Sequence, residues 1–265
     1  MDNRPIGVFD SGIGGLTVVE ALANELPDES ILYVGDTARV PYGNKSKDRI
    51  QEFSKQITKW LISRDCKVIV VACNTASSLA LDFLRLNFNL PIIGVIIPGI
   101  QSAIETTRNK HIGVLGTVAT IKSDAYGQSL KKISAAITVV SQSCPLFVPL
   151  VEEGLVLGHV PKSIAKNYLM TILNSKSDTV ILGCTHYPLL KPVISSILGS
   201  DVNLVDSGEA TSAMVKSLLK KNQSLADKNP GEIHCFVTDS PETFKALTGR
   251  FIKTEIYSIQ HIDIT

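Results

Sequence analysis

Two cysteines of this chain stand in matching surroundings, and a pair of thiols is suited to proton transfer. Cys73 ends one short apolar run and is followed by Asn-Thr, and Cys184 ends another and is followed by Thr-His. Racemisation at a Cα requires a base that removes a proton on one face and an acid that returns one on the other. Two like groups on opposite faces can run this reaction in both directions. The pair therefore predicts racemisation, if the fold sets the two thiols across a common ligand.

Such a mechanism needs one thiol ionised and its partner protonated. A free thiol has a pKa near 8.5, so roughly a tenth of it is thiolate around pH 7.5. A helix N-terminus lowers the pKa of a nearby thiol, and both cysteines are expected where a strand gives way to a helix. The active enzyme has one proton distributed over the two thiols. Their titrations are therefore coupled, and the apparent pKa values describe the pair and not either cysteine alone.

Polar neighbours of the two cysteines fit helper roles that spacing alone does not assign. Asp10 is suited to bind a substrate ammonium or to orient the first thiol, and His186 is suited to relay protons near the second. Asp10 and Asp36 are equally compatible with ordinary helix N-caps, and Glu152 with a solvated position on a helix surface. Hydrogen-bond donors for a substrate carboxylate are available from four residues, namely Ser11, Asn74, Thr75 and Thr185.

The remaining signals argue against a metal or a nucleotide cofactor. The glycine-rich stretch 12–15 follows a predicted strand, but Thr17 stands where a dinucleotide-binding turn requires its third glycine. An isolated Cys-x-His, as at Cys184, is a poor metal signal. Three further cysteines are expected to be small buried side chains, and these are Cys66, Cys144 and Cys235. With an odd number of cysteines and no CxxC pair, reduced thiols are expected.

Short apolar runs alternate with helix-like segments along the chain, which predicts an α/β fold with parallel sheets. The predicted strands are 6–9, 31–34, 68–72, 92–97, 112–115, 137–140, 180–182, 202–205 and 233–237. Several of these runs are apolar throughout, as in strands that helices cover on both faces. Ligands of such sheets bind beyond the carboxyl ends of the strands, where both cysteines fall.

An internal repeat divides the chain into two similar halves. Residues 6–11 align with 112–117, and residues 69–75 align with 180–186, which places Cys73 opposite Cys184 in the alignment. We therefore predict two similar parallel-sheet α/β domains related by a pseudo-two-fold axis, with the active site in the cleft between them. Residues 1–96 and 208–265 would form the first domain, and residues 97–207 the second.

Composition narrows the classes of partner. The 265 residues carry a net charge of +1 and are 44% hydrophobic and 19% charged, as in ordinary globular proteins. Lysine and arginine are scattered among acids, so nucleic acid is not an expected partner. The N-terminus does not resemble a signal peptide, and no apolar run approaches the roughly 20 residues of a membrane span. We expect a cytoplasmic protein without membrane contact.

Six motifs in order resemble the glutamate racemases of the aspartate/glutamate racemase superfamily. They are FDSGIGGLT (9–17), DTARVPYG (36–43), ACNTAS (72–77), CPLFVPLVEEG (144–154), LGCTHYPLL (182–190) and DSG (206–208). The likeness spans nearly the whole chain. It implies interconversion of L- and D-glutamate without a cofactor, which supplies D-glutamate for peptidoglycan, and a homodimeric assembly.

The resemblance also implies roles for individual residues. Cys73 and Cys184 would be the catalytic acid/base pair, with support from Asp10, Glu152 and His186. The implied substrate contacts are Asp10, Ser11, Tyr42, Gly43, Asn74, Thr75, Thr185 and His186. Two alternatives stay open at this point: a related racemase that acts on aspartate or a hydantoin, and a non-catalytic protein that binds an acidic ligand in the same cleft.

Overall fold

A computed structural model describes residues 1–227 and 229–264 of the chain. The strands, in chain order, are β1 (Ile6–Asp10), β2 (Ile31–Gly35), β3 (Val68–Val71), β4 (Ile92–Gly94), β5 (His111–Gly116), β6 (Thr138–Ser143), β7 (Thr179–Gly183), β8 (Asn203–Asp206), β9 (Ile233–Val237) and β10 (Ser258–His261). They form two sheets in the order β10-β9-β2-β1-β3-β4 and β6-β5-β7-β8. Every pairing in both sheets is parallel.

The α-helices lie between these strands. In chain order they are α1 (Leu16–Glu25), α2 (Lys47–Ser63), α3 (Asn74–Leu79), α4 (Leu81–Asn87), α5 (Ile96–Thr106), α6 (Val118–Ser123), α7 (Ala125–Ile133), α8 (Phe147–Glu152), α9 (His159–Asn174), α10 (Lys191–Leu198), α11 (Ser207–Lys221) and α12 (Pro241–Thr248). Short 3-10 turns run over Tyr42–Asn44 and Tyr187–Leu190. Among the described residues, no helix combines the length and the apolar character that crossing a bilayer requires.

The two sheets repeat the same strand order, which confirms the predicted pair of similar α/β units. In the first sheet β1 lies between β2 and β3, and in the second β5 lies between β6 and β7. Strands β1, β3 and β7 are buried at every position. Their unbroken apolar runs are thus explained by helices on both faces of each sheet.

The segment after α11 adds strands to the first sheet. Strand β9 coincides with the strand predicted at 233–237 and pairs with β2, and β10, which is not predicted from the sequence, pairs with β9. Helix α11 packs against both α1 and α5, so it contacts both halves of the chain. The domain boundaries at residues 96 and 207 remain a proposal.

The predicted strand 92–97 is too long. Strand β4 ends at Gly94, and α5 begins at Ile96. A run of β-branched apolar residues fits a buried strand and a buried helix equally well, so its composition does not mark the boundary. Pro98 lies in the first turn of α5, where backbone N–H groups have no acceptor within the helix, so the helix tolerates a residue without an N–H there.

Candidate active site

A cavity of about 360 Å³ lies at the carboxyl ends of β3 and β7 and is lined by residues from both sheets. Its lining consists of Ser11, Val40, Pro41, Tyr42, Gly43, Asn44, Cys73, Asn74, Thr75, Thr117, Val118, Pro145, Val148, Pro149, Glu152, Cys184, Thr185, His186 and Tyr187. Every site residue predicted from the sequence is present in this lining except Asp10. The two cysteines therefore share one cavity.

Cys73 reaches the cavity from the first sheet. It follows β3 and is the N-cap residue of α3. Cys73 lies between the end of the strand and the start of the helix, and the residue is only 6% exposed. Burial, together with the negative charge of Asp10, raises the pKa of the Cys73 thiol to about 12, although hydrogen bonds from Ala76 and Ser11 act in the opposite direction.

Cys184 reaches the cavity from the second sheet, directly after β7. The following residues form a 3-10 turn, not an α-helix, and the thiol is also 6% exposed. Burial raises the pKa of Cys184, and the backbone N–H of His186 acts in the opposite direction. The sequence predicts that a helix N-terminus lowers the pKa of each thiol. At Cys73 such a helix is present but desolvation outweighs it, and at Cys184 no α-helix begins beside the thiol and desolvation again dominates.

His186 connects the second thiol to a carboxylate. Its Nε2 lies 2.9 Å from Glu152 Oε1, and its Nδ1 lies 3.9 Å from Cys184 Sγ. A carboxylate accepts, so Nε2–H donates to Glu152, and in the neutral imidazole Nδ1 is then the nitrogen with a lone pair facing the thiol. The ring of Phe251 meets the imidazole edge-on at a centroid distance of 5.4 Å. Both neighbours restrain the orientation of His186.

Asp10 lies behind the cavity wall on the side of Cys73. The side chain is fully buried, and its Oδ2 accepts the backbone N–H of Gly12 at 3.1 Å. Within the described part of the chain, Oδ1 has no hydrogen-bond partner. Burial raises the pKa of Asp10, while the nearby His186 lowers it. The position is suited to exchange a proton with Cys73, but it is not a cavity-lining position.

Tyr42 and Gly43 are held at the cavity by a buried carboxylate. The Tyr42 hydroxyl donates a short hydrogen bond to Asp36, and Arg39 Nε lies 2.8 Å from the same carboxylate. The Thr238 hydroxyl also donates to Asp36, at 3.0 Å. Asp36, which the sequence left between a cap and a functional role, thus shapes the 36–44 loop.

A cluster of three hydroxyls joins the two halves at the cavity rim. Thr75 Oγ1 lies 3.0 Å from Thr117 Oγ1, which in turn lies 3.0 Å from Thr120 Oγ1. Neither Thr117 nor Thr120 is among the site residues predicted from the sequence. Thr117 follows β5 as Ser11 follows β1, so its position in the repeat was the available signal.

The lining offers neutral donors to an anionic ligand. Among the described residues that line the cavity, none is lysine or arginine. Carboxylate groups of a ligand must then be bound by hydroxyls, amides and backbone N–H groups. No group of three His, Cys, Asp or Glu side chains within residues 1–227 and 229–264 is arranged to hold a metal ion.

Comparison with known proteins identifies the family of this chain. The Asp/Glu/Hydantoin racemase family model matches residues 7–215. Glutamate racemase of Geobacter metallireducens is 43% identical over 98% of this chain and 97% of that protein. A crystal structure of a glutamate racemase isoform from Bacillus anthracis superposes with a TM-score of 0.96 at 38% identity, over 99% of this chain and 98% of that chain.

A second solved structure carries a ligand. The glutamate racemase of Francisella tularensis in complex with D-glutamate has a TM-score of 0.93 and 43% identity, over 99% of this chain and 98% of that chain. These matches cover 98–99% of the chain, and the family model covers residues 7–215. The chain belongs to the Asp/Glu/Hydantoin racemase family, in which it is similar in sequence to glutamate racemases such as that of Geobacter metallireducens.

Proposed function

We propose that this enzyme interconverts L- and D-glutamate by a two-cysteine proton transfer at Cα, without a cofactor. The supporting observation is that Cys73 and Cys184 occupy equivalent strand ends in two similar halves and line one cavity. The imidazole does not share this equivalence: His186 has no histidine counterpart at the first cysteine, where Thr75 stands in the corresponding position. The repeat thus supplies one thiol for each face of the substrate.

Glutamate binding to the cavity accounts for its polar lining. The relative from Francisella tularensis is in complex with D-glutamate, and we propose that the same ligand occupies this cavity. We propose that hydrogen bonds to its carboxylates come from four residues that line the cavity, namely Ser11, Asn74, Thr75 and Thr185. Tyr42 and Gly43 close the cavity from the 36–44 loop.

In the proposed reaction one thiolate removes the Cα proton and the opposite thiol returns a proton to the other face. The thiolate becomes a thiol and its partner becomes a thiolate. The two cysteines thus exchange protonation states, and the total number of protons on the pair is unchanged. Burial raises the pKa of both thiols, which makes each a stronger base once it is ionised. Such a base is better matched to the weakly acidic Cα–H bond.

Each thiol has its own proton acceptor. His186 Nδ1 accepts the proton of Cys184, and Glu152 stabilises the imidazolium that results. On the opposite side, the negative charge of Asp10 disfavours a thiolate at Cys73. Cys73 therefore ionises when its proton passes to the Asp10 carboxylate, which removes that charge. The two sides of the site are therefore chemically different although the fold repeats.

Deuterium incorporation tests this function. Incubation of the enzyme with L-glutamate in D₂O, with no cofactor added, is expected to yield D-glutamate with deuterium at Cα. Aspartate and a hydantoin, assayed in parallel, are expected to turn over far more slowly. Turnover of aspartate alone would overturn the substrate assignment. D-Glutamate that keeps the original hydrogen at Cα would contradict the mechanism, because a thiol that exchanges its proton with D₂O should deliver deuterium.

The biological role, the compartment and the assembly of the enzyme are also proposed. D-Glutamate is a component of bacterial peptidoglycan, so we infer that the enzyme supplies cell-wall synthesis. All five cysteines are free and buried, which fits a reducing compartment such as the cytoplasm. Assembly into a homodimer is likewise proposed, from the resemblance to the family.

A further inference from the structure

Tyr126 connects the two halves of the enzyme directly behind the cavity. It lies in the first turn of α7, in the second half, and is 2% exposed. Its hydroxyl donates a hydrogen bond of 2.6 Å to Oδ1 of Asn74, the residue that follows Cys73. Burial raises the pKa of Tyr126, so the phenol keeps its proton and remains a donor.

This hydrogen bond decides which way the Asn74 amide points. Since Oδ1 accepts from Tyr126, the amide nitrogen Nδ2 is the group left for the cavity that Asn74 lines. Within residues 1–227 and 229–264, Nδ2 donates to no protein acceptor. Both of its hydrogens are therefore available to a substrate carboxylate, whereas the opposite orientation would present a repulsive oxygen.

The ring of Tyr126 also contacts the second cysteine loop. A Cβ atom at Gly183, the residue before Cys184, would lie 3.2 Å from Tyr126 Cε2 and 2.7 Å from the Leu115 carbonyl oxygen. A side chain at this position would thus displace the ring or the strand. The phenol therefore touches the residue next to each thiol, on opposite sides of the cleft.

We infer that Tyr126 is a positioning residue that orients the Asn74 amide toward the substrate carboxylate and ties the Cys73 loop to the Cys184 loop. The inference rests on the proposed binding of glutamate in the cavity. It does not depend on which group abstracts the proton, because an oriented carboxylate donor is needed before and during proton transfer alike.

Tyr126→Phe tests this inference, because phenylalanine keeps the ring contact with Gly183 and removes only the hydroxyl. We expect KM to rise about tenfold for both enantiomers, as for loss of a substrate hydrogen bond, while kcat changes less than about threefold. Asn74→Ala is expected to raise KM by at least as much. In the Asn74→Ala background, Tyr126→Phe is expected to add no further increase, since the phenol acts through Asn74.

Thr107→Val is the matched control. It removes another hydroxyl hydrogen bond of 2.6 Å in the second half, from Thr107 to Asp178, away from the cavity. A loss of stability with unchanged KM is expected for this variant. If Thr107→Val raised KM as much as Tyr126→Phe, the effect would be one of general stability and the inference would be overturned.

Binding of D-glutamate separates this inference from the proposed mechanism. By isothermal titration calorimetry in a Cys184→Ala background, which prevents turnover under the proposed mechanism, Tyr126→Phe is expected to raise Kd about tenfold. An unchanged Kd, or fully additive effects with Asn74→Ala, would overturn the role of Tyr126. Absence of binding before Tyr126 is changed would instead count against glutamate as the ligand of the cavity.

Discussion

His186 Nε2 lies 2.9 Å from Glu152 Oε1, so the imidazole beside Cys184 is oriented by a carboxylate 34 residues earlier in the chain. This pairing directs the lone pair of Nδ1 toward the Cys184 thiol. Cys73 has no equivalent imidazole and lies next to Asp10 instead. Under the proposed mechanism, the two faces of the substrate therefore meet thiols with different proton acceptors.

Glu152→Gln tests this asymmetry. The amide keeps a hydrogen-bonding group near His186 but removes the charge that stabilises the imidazolium, so we expect kcat to fall about 10²-fold. The primary isotope effect with α-deuterated glutamate should increase for the enantiomer that Cys184 deprotonates, because abstraction becomes more rate-limiting in that direction only. Equal isotope effects for the two enantiomers, with kcat unchanged, would contradict the assigned role.

Gly14→Ala tests the close contact between the first loop and the Cys184 loop. A Cβ atom at Gly14 would collide with the His186 ring and with Thr185 Oγ1. Since His186 must then move away from Cys184, we expect a loss of kcat of at least 10-fold. Gly249→Ala is the matched control, because that glycine has no atom within 4 Å of an added Cβ and should retain full activity. Normal activity of Gly14→Ala would show that the contact is dispensable.

The buried thiols predict loss of stability in alkaline solution. Burial raises the pKa values of Cys66 and Cys235 from 9.0 to about 12. Below pH 9 these thiols are protonated in the folded and the unfolded chain. Between pH 9 and pH 12 the unfolded chain releases their protons and the folded chain does not, so the free energy of unfolding falls as the pH rises.

We expect a decrease of about 1 kcal/mol per thiol at pH 10, measured by urea unfolding at pH 8 and pH 10. Cys235→Ala should be less stable at pH 8, because it loses packing, but should show a correspondingly smaller decrease between the two pH values. An identical decrease in Cys235→Ala and in the unsubstituted enzyme would show that this thiol does not contribute.

Much of this fold could be predicted because its signals are local. Fully buried parallel strands such as β3 and β7 appear in the sequence as unbroken apolar runs. The repeat was detectable because equivalent strand ends keep equivalent residues. Strand β10 was missed because half of its residues are exposed and it pairs only along one edge.

The residues that line the cavity could be predicted more completely than the contacts that orient them. Cys73, Cys184 and their neighbours lie directly after strands, where sequence position implies location. Tyr126 and Asp36 act through contacts with residues that spacing does not relate to them, as in the bond from Tyr126 to Asn74. The thiol pKa values were also out of reach, since they depend on how completely the assembled cleft excludes water.

The racemase activity of Cys73→Ala and of Cys184→Ala tests the central claim most directly, with Cys235→Ala as the matched control. Cys235 is fully buried in β9 of the first sheet and does not line the cavity. Circular dichroism of glutamate solutions is expected to show a loss of racemisation of 10³-fold or more in each of the first two variants and near-normal rates in the third. Full activity in either Cys73→Ala or Cys184→Ala would contradict the two-cysteine mechanism.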